Sequence, residues 1–261
     1  MLAIAIEDPA DPRLDDFRNL TDADVRPDRR GIVIAEGVNV VERMVRSPYR
    51  VRAVVGVQAR IDTLRPVLET LDAPAYVVDK WVLSDAVGFR VTRGVLASAD
   101  RPEPPVLAQL LASSSRIAVL EALNDFENLG ALFRNAAAFG VDAVLLNPLC
   151  ADPLYRRSVR VSMGHVLRVP FAVLPARWPD SLGEVRAAGF EILALTPGGD
   201  VVLRDVALPP KCAVLLGAEG PGLSEDAMRF ADRRVRIPMA SGVDSLNVAT
   251  AAAIAFAHLA E

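Results

Sequence analysis

The fold of this chain is decided by residues 116–147, which read RIAVLEALNDFENLGALFRNAAAFGVDAVLLN. The apolar run at 116–123 predicts a buried strand, and 142–147 predicts a second one. Between them, 129–140 has apolar residues at helical spacing and ends at Gly140, a residue type common just beyond the C-terminus of a helix. Strand, helix and strand in this order form a βαβ unit, which predicts a parallel sheet.

Strand and helix patterns alternate through the rest of the chain. Towards the C-terminus, helices are predicted at 181–189, 224–230 and 245–260, and strands at 190–196, 211–217 and 233–238. Towards the N-terminus, a strand and a helix are predicted within 31–47, and further strands at 51–57, 75–79 and 93–99. Three prolines in the intervening segment 98–116 disfavour both helix and central strand. We therefore expect an α/β protein with two domains, at 1–105 and 106–261.

Composition and the first residues favour a globular protein of the cytoplasm. Hydrophobic residues make up 52% of the 261 residues, which is enough to bury a sizeable core. Glu7 and Asp8 follow closely on the start of the chain, unlike the apolar stretch of a secretion signal. The longest apolar stretches are shorter than the roughly 20 residues that a membrane helix needs. We therefore expect a cytoplasmic protein without a membrane span.

Neither a metal site nor a basic domain is indicated. Cys150 and Cys212 lie far apart, and His165 and His258 complete no zinc spacing, so that neither a disulfide framework nor a metal ion is expected. The net charge of −4 is spread evenly over both halves of the chain. Nucleic-acid binding would then depend on local clusters, which are otherwise only solvated surface. These clusters are Arg156, Arg157, Arg160 and Arg168, and Arg233, Arg234 and Arg236.

The loops after the predicted strands are the places where a ligand is expected, because open α/β sheets bind ligands at the carboxyl ends of their strands. The first of these loops places Asn128 where a helix N-cap is predicted. Arg134 follows six residues later among apolar neighbours, where a buried charge would need a partner. Asn128 by itself is explained by capping, whereas Arg134 indicates a site.

Two later loops carry polar residues in a similar position. The stretch LLGAEGPGLS at 215–224 places Glu219 between glycines. The stretch IPMASGVDSLN at 237–247 places Ser245 and Asn247 directly before a predicted helix. Either of these last two residues is alternatively a simple helix cap.

Taken together, the three loops resemble the ordered motifs of the SpoU branch of RNA ribose methyltransferases, within the SPOUT superfamily. The resemblance spans about 117–261, and the first 105 residues resemble more loosely the L30e-like substrate-binding domain often attached in front of it. It implies a parallel sheet with a trefoil knot, S-adenosylmethionine bound in the knot, and methyl transfer to a ribose 2′-hydroxyl of rRNA or tRNA. It also implies a homodimer. Phe126 stands where many relatives have proline.

The resemblance implies roles for named residues. Arg134, which stays protonated, would position ribose or phosphate and stabilise charge, and Glu219 would hold it through a charge-assisted pair. The ribose and the loop would be oriented by Asn128, Ser245 and Asn247, and the general base is not identified. The cofactor slot is expected from Thr196, Leu216, Gly217, Glu219, Gly220, Ile237, Met239 and Leu246. Weaker candidates for contact with RNA are Ser162, His165 and Arg168.

Two other classes of protein fit parts of the pattern. A nicotinamide oxidoreductase shares the alternation of strands and helices, but its G-x-G-x-x-G signature with a later acidic residue is missing. A catalytically inactive RNA-binding protein of the same fold would have little need for the five polar loop residues together. It is the alternative to the methyltransferase.

Overall fold

The computed structural model describes residues 3–21 and 31–260. The strands, in chain order, are β1 (Ile4–Ile6), β2 (Ile32–Glu36), β3 (Val51–Gly56), β4 (Ala75–Val78), β5 (Val95–Asp100), β6 (Arg116–Glu121), β7 (Ala143–Leu146), β8 (Phe171–Val173), β9 (Glu191–Leu195), β10 (Val201–Val202), β11 (Cys212–Gly217) and β12 (Arg233–Arg236). The α-helices are α1 (Val38–Val45), α2 (Gln58–Leu68), α3 (Lys80–Val87), α4 (Leu107–Ser113), α5 (Phe126–Ala138), α6 (Arg156–Val161), α7 (Leu182–Ala187), α8 (Glu225–Phe230) and α9 (Val248–Leu259).

The chain forms two compact units. The N-terminal unit comprises Met1–Glu103 and Pro153–Arg168, and the C-terminal unit comprises Pro104–Asp152 and Val169–Glu261. The boundary between the two units at 103/104 falls within the proline-rich segment. Residues 153–168, however, were expected in the domain at 106–261 and group instead with the N-terminal unit. Arg156 explains this, because its guanidinium bonds the buried carboxylate of Glu36 at 2.7 Å.

The N-terminal unit is built on a mixed sheet with the strand order β1-β4-β3-β5-β2. β5 runs antiparallel to both β2 and β3, and the other four strands point the same way. All five residues of β2 are buried, as expected for a strand covered on both faces. The core includes Leu14 and Phe17 of a short 3₁₀ helix at Pro12–Phe17. This unit fits the α/β domain expected there, while its L30e-like character stays a prediction.

The C-terminal unit contains seven strands in the order β10-β12-β9-β11-β6-β7-β8, and every pairing is parallel. The predicted parallel sheet is therefore confirmed, and the trefoil knot stays a prediction. The central strands read as continuous apolar runs because helices cover both faces of the sheet. On one side α5 packs against α9. On the other side, residues of α4, α7 and α8 join one buried apolar cluster with the sheet.

Several short strands and helices were not predicted from the sequence. The strands β1, β8 and β10 have only two or three residues, too few to show a period of two. The helices α2, α3, α4 and α6 were likewise not predicted, and α2 even contains Pro66. Among the described residues, no helix is long and apolar enough to cross a bilayer.

Candidate active site

The carboxyl edge of the parallel sheet is shaped by a tight glycine loop after β11. Gly217, the last residue of β11, pairs with Glu121 at the end of β6. The loop then folds back, with the Gly222 amide donating to the Ala218 carbonyl at 3.0 Å. A Cβ atom on Gly217 would overlap the backbone of Gly222, and Gly220 has a φ of +85°. Side chains at these glycines would therefore strain or block the fold of the loop.

This loop forms one wall of a cleft of about 630 Å³. The volume lies within the range of about 300–1,000 Å³ typical of pockets for small molecules. All the residues expected to form a cofactor slot line the cleft, namely Thr196, Leu216, Gly217, Glu219, Gly220, Ile237, Met239 and Leu246. Leu195, Met228 and Val248 add further apolar surface. The cleft thus combines apolar side chains with backbone that a ligand can approach closely.

Asn247 joins three loops at this cleft. Its side-chain oxygen caps α9 by accepting from the amides of Ala249 at 3.0 Å and Thr250 at 3.2 Å. Its Nδ2 donates to Oδ1 of Asn128 and to Oε1 of Glu219, both at 2.7 Å. Asn247 is therefore a helix cap, and the other end of its amide binds Asn128 and Glu219 at the cleft.

Asn128 reaches this cluster because it does not cap its own helix. Asp125 is the N-cap of α5, and its Oδ1 accepts from the amides of Glu127 and Asn128, both at 2.8 Å. The prediction that Asn128 is the cap was therefore wrong. Asp125 is itself a preferred capping residue, and its position three residues before Asn128 was the available signal.

Arg134 and Ser245 do not join the cluster. Arg134 is exposed directly after the buried Leu132 and Phe133, and makes no hydrogen bond or ion pair within the part of the chain that the structure describes. The expected pair of Arg134 with Glu219 is thus wrong for the single chain. Six residues of an α-helix turn the side chain by about 600°, which leaves Arg134 about 120° away from the face of Asn128. Ser245 lines the cleft and is exposed.

Glu121 was missed by the sequence analysis. It is buried, with 6% of its surface exposed. Its Oε1 accepts from the indole Nε1 of Trp178 at 2.5 Å, and its Oε2 accepts from the amide of Ser224 at 2.9 Å. Ser224 ends the glycine loop and caps α8. Glu121 thus anchors that loop to β6, and the signal for it was a carboxylate closing an otherwise apolar strand.

Asn147 similarly anchors the loop before α5. It is buried, and its Oδ1 accepts from the amide of Ala122 at 2.9 Å and of Leu149 at 3.2 Å. Ala122 has a φ of +54°, which is uncommon for a residue other than glycine. The side chain of Asn147 thus holds the chain in the turn that leads towards Asn128.

The two cysteines remain thiols at neutral pH. Burial raises the pKa of Cys150 to about 11 and that of Cys212 to about 12. Neither therefore supplies a thiolate nucleophile. Within residues 3–21 and 31–260, no group of three or more His, Cys, Asp or Glu side chains lies in an arrangement able to hold a metal ion.

The weaker candidates for RNA contact lie in the N-terminal unit. Ser162 is fully buried, and its hydroxyl donates to the Val159 carbonyl at 3.0 Å, which gives it a structural role. His165 begins a 3₁₀ helix and is half-buried, while Arg168 is exposed. Of the three, only Arg168 keeps its side chain largely open to solvent.

Comparison with known proteins shows the family to which this chain belongs. The model of the SpoU rRNA methylase family matches residues 115–257. An uncharacterized tRNA/rRNA methyltransferase of Mycobacterium tuberculosis is 50% identical over 256 residues, covering 95% of this chain and 88% of the relative. The 23S rRNA (guanosine(2553)-2′-O)-methyltransferase RlmP of Bacillus subtilis is 25% identical over 97% of this chain and 98% of its own length.

A solved structure shares the fold over nearly the whole length. The AdoMet-bound rRNA methyltransferase from Sinorhizobium meliloti superposes with a TM-score of 0.82 at 24% identity, covering 98% of this chain and 97% of that one. Together, these matches define the class of the protein as a methyltransferase. The chain belongs to the SpoU rRNA methylase family, which confirms the resemblance seen in the three loops.

Proposed function

We propose that this protein transfers the methyl group of S-adenosylmethionine to the 2′-hydroxyl of a ribose in rRNA or tRNA. The observation that carries the proposal is the double hydrogen bond of Asn247 to Asn128 and Glu219 at the cleft. Support comes from the 2′-O-methyltransferase activity of RlmP and from the AdoMet bound to the Sinorhizobium meliloti enzyme. An inactive RNA-binding protein would have no need for this arrangement.

The cleft fits the proposed cofactor. Leu216, Ile237 and Met239 offer an apolar surface to an adenine ring, and the backbone near Gly217 and Gly220 offers hydrogen-bonding groups at close range. When bound, S-adenosylmethionine supplies a methyl group on a positively charged sulfur. The residues of the chain have to hold the acceptor hydroxyl in line with that methyl group.

Glu219 is the proposed partner of the ribose. Asn247 fixes its Oε1, and its Oε2 has no hydrogen-bond partner among the described residues. We assign Oε2 to accept the hydrogen bond of the 2′-hydroxyl, which orients the oxygen lone pair, and to take up the hydroxyl proton when that oxygen is methylated. The network of Asn128 and Asn247 keeps this carboxylate from rotating away, while Ser245 lines the same cleft and is proposed to contact the ribose.

Arg134 is proposed to bind the substrate phosphate or ribose. It is exposed and without an ion pair in the described chain, and its guanidinium stays protonated. An arginine of this kind can bind a phosphate through two parallel hydrogen bonds. Its role is therefore positioning and charge stabilisation rather than removal of a proton.

A homodimer remains part of the proposal. The side chain of Ile254 on α9 is 41% exposed, and Arg134 on α5 is exposed, so both are accessible to a second copy of the chain. Light scattering at micromolar concentration tests the assembly, and a mass of 28.0 kDa for the particle would contradict it. The cytoplasmic location also stays a prediction.

Binding and methylation tests separate the proposal from its rivals. In calorimetry, S-adenosylmethionine should bind with micromolar-scale affinity, whereas NADH should give no heat. Mapping of 2′-O-methylation across total RNA, with and without this protein in the cell, should show one or a few riboses that lose the mark. Binding of NADH alone, or an unchanged map together with RNA binding, would favour the oxidoreductase or the inactive protein, respectively.

A further inference from the structure

The carboxyl edge of the N-terminal sheet gathers cations around one exposed tryptophan. The strands β2, β3 and β4 are parallel, so they end at the same edge, and the antiparallel β5 begins there. Hydrogen bonds join the parts of this edge, since the amides of Gly37 and Val57 donate to the carbonyls of Val95 and Gly94, both at 2.9 Å. We call this region the basic edge and define it by Arg60, Lys80, Trp81, Arg90 and Arg93.

The structure places these side chains around the loops of that edge. A Cβ atom on Gly94 would lie 3.3 Å from Cγ of Arg60, and one on Gly37 would lie 3.5 Å from Cβ of Arg93. Lys80, Trp81 and Arg90 line one open cavity of about 520 Å³, together with Asp79 and Ser84. All members of the basic edge therefore follow β3 or β4 or precede β5.

The four cations are available to an outside ligand. Arg60, Lys80, Arg90 and Arg93 are exposed, and none forms an ion pair in the part of the chain that the structure describes. Arg52, elsewhere in this unit, bonds Asp16 at 2.9 Å and contacts Asp100. Unpaired cations at one edge favour a polyanion, because each phosphate contact releases counterions.

The exposed side chain of Trp81 indicates a second property of the ligand. Its side chain is 62% exposed on the first turn of α3, and the other exposed large hydrophobic side chain described in this unit is Ile4 on β1. One isolated indole is too small an apolar patch for a protein interface, which is normally several hundred Å². An exposed aromatic ring flanked by cations is instead the arrangement that stacks the bases of a single strand.

We propose that the basic edge binds single-stranded RNA, with a base stacked on Trp81 and the phosphates on the four cations. This inference rests on the proposed function, which makes RNA the substrate, and assigns the surface that holds a segment of it. Because every residue of the basic edge lies in the N-terminal unit, binding there does not require the cleft to be filled.

The test measures RNA binding by the full chain without cofactor. The probe is a fluorescein-labelled 12-nucleotide oligouridylate, followed by anisotropy between 50 and 200 mM salt. Trp81→Ala should weaken binding roughly five- to 100-fold, while Trp81→Phe should keep most of the affinity. The double change Arg90→Ala with Arg93→Ala should lower the slope of log affinity against log salt by about 1.4. Arg204→Ala, an exposed arginine of the C-terminal unit, is the matched control and should change neither quantity.

Competition experiments identify the class of ligand. A ribose-phosphate 12-mer without bases should compete at least fivefold less well than oligouridylate, and polyglutamate of equal charge should compete less well still. Equal competition by polyglutamate would overturn the proposal in favour of an acidic protein partner, and wild-type affinity in both the Trp81→Ala and the double arginine variant would overturn it outright.

Calorimetry with S-adenosylmethionine on the same variants distinguishes failure of the basic edge from failure of the proposed function. Normal cofactor binding with unaltered RNA binding rejects the basic edge alone, whereas absent cofactor binding in the wild type rejects the proposed function alone.

Discussion

The cleft of the C-terminal unit and the basic edge of the N-terminal unit differ in how their polar side chains are paired. In the cleft, Asn247 is bonded at both ends, and the buried Glu121 that anchors the glycine loop uses both carboxylate oxygens. At the basic edge, four cations are exposed without an ion pair among the described residues. A pre-bonded network suits a small ligand that must be held in one pose, because its groups lose little freedom on binding. Free, flexible cations suit a long polyanion that can bind in several registers.

Arg134 belongs to the C-terminal unit but resembles the cations of the basic edge. Its loss should have the largest effect on methyl transfer. Like those cations, Arg134 is exposed and has no ion pair within residues 3–21 and 31–260. Arg134→Ala should lower kcat for methyl transfer on the order of 1,000-fold and leave cofactor affinity within a few-fold. Arg134→Lys should recover little, because an ammonium lacks the planar fork of a guanidinium. Loss of cofactor binding in calorimetry would show that Arg134 supports the cleft instead.

Gly217→Val should break the cleft while sparing the basic edge. The added side chain would overlap the backbone of Gly222, so the glycine loop has to move. We expect cofactor affinity to fall roughly 100-fold and oligouridylate binding to stay unchanged. Gly198→Ala is the matched control, since a Cβ atom there meets nothing within 4 Å. Calorimetry on both variants measures the difference, and equal losses would contradict the role given to the overlap of residue 217 with Gly222.

Asn247→Asp tests whether the network does more than cap a helix. The new carboxylate keeps an oxygen for the amides of Ala249 and Thr250, so the melting temperature should change little. Its other oxygen would face Oδ1 of Asn128 and Oε1 of Glu219 without a proton to donate. Methyl transfer should fall on the order of 30-fold. Unchanged transfer would reduce Asn247 to a cap.

Glu121→Gln should give the smallest of these effects. The amide can accept only one of the two hydrogen bonds that the carboxylate accepts from Trp178 and Ser224. We expect about tenfold weaker cofactor binding, with a shifted fluorescence of Trp178 when measured in a Trp81→Phe background. Wild-type affinity despite a shifted spectrum would show that the anchor is structural and does not position the glycine loop.

The sequence predicted the parallel sheet and the lining of the cleft better than the contacts among polar side chains. Apolar runs such as 116–121 report burial directly, and glycines report loops with close backbone contacts. The direction of Arg134 on α5 depends on where that helix begins, and the cap at Asp125 moved the start by several residues from the expected position. Glu121 was missed because its partners, Trp178 and Ser224, are 57 and 103 residues away.

The grouping of 153–168 with the N-terminal unit also had no local signal. The segment follows β7 of the parallel sheet in sequence, but the ion pair of Arg156 with Glu36, 120 residues apart, joins it to the N-terminal unit. The guanidinium of Arg156 also lies 4.4 Å from the ring centre of Phe89. Contacts over such separations are not visible in the spacing of residues along a chain.

Methyl transfer to unmodified RNA in vitro tests the central claim most directly. Total RNA from cells that lack the protein is incubated with the purified chain and tritiated S-adenosylmethionine, and then hydrolysed with alkali. The account predicts that the label is found in alkali-stable dinucleotides, because a methylated 2′-oxygen cannot attack the neighbouring phosphate, and that Asn247→Asp reduces this label without loss of cofactor binding. Label recovered as base-methylated mononucleotides, or no transfer by protein that binds both S-adenosylmethionine and RNA, would contradict it.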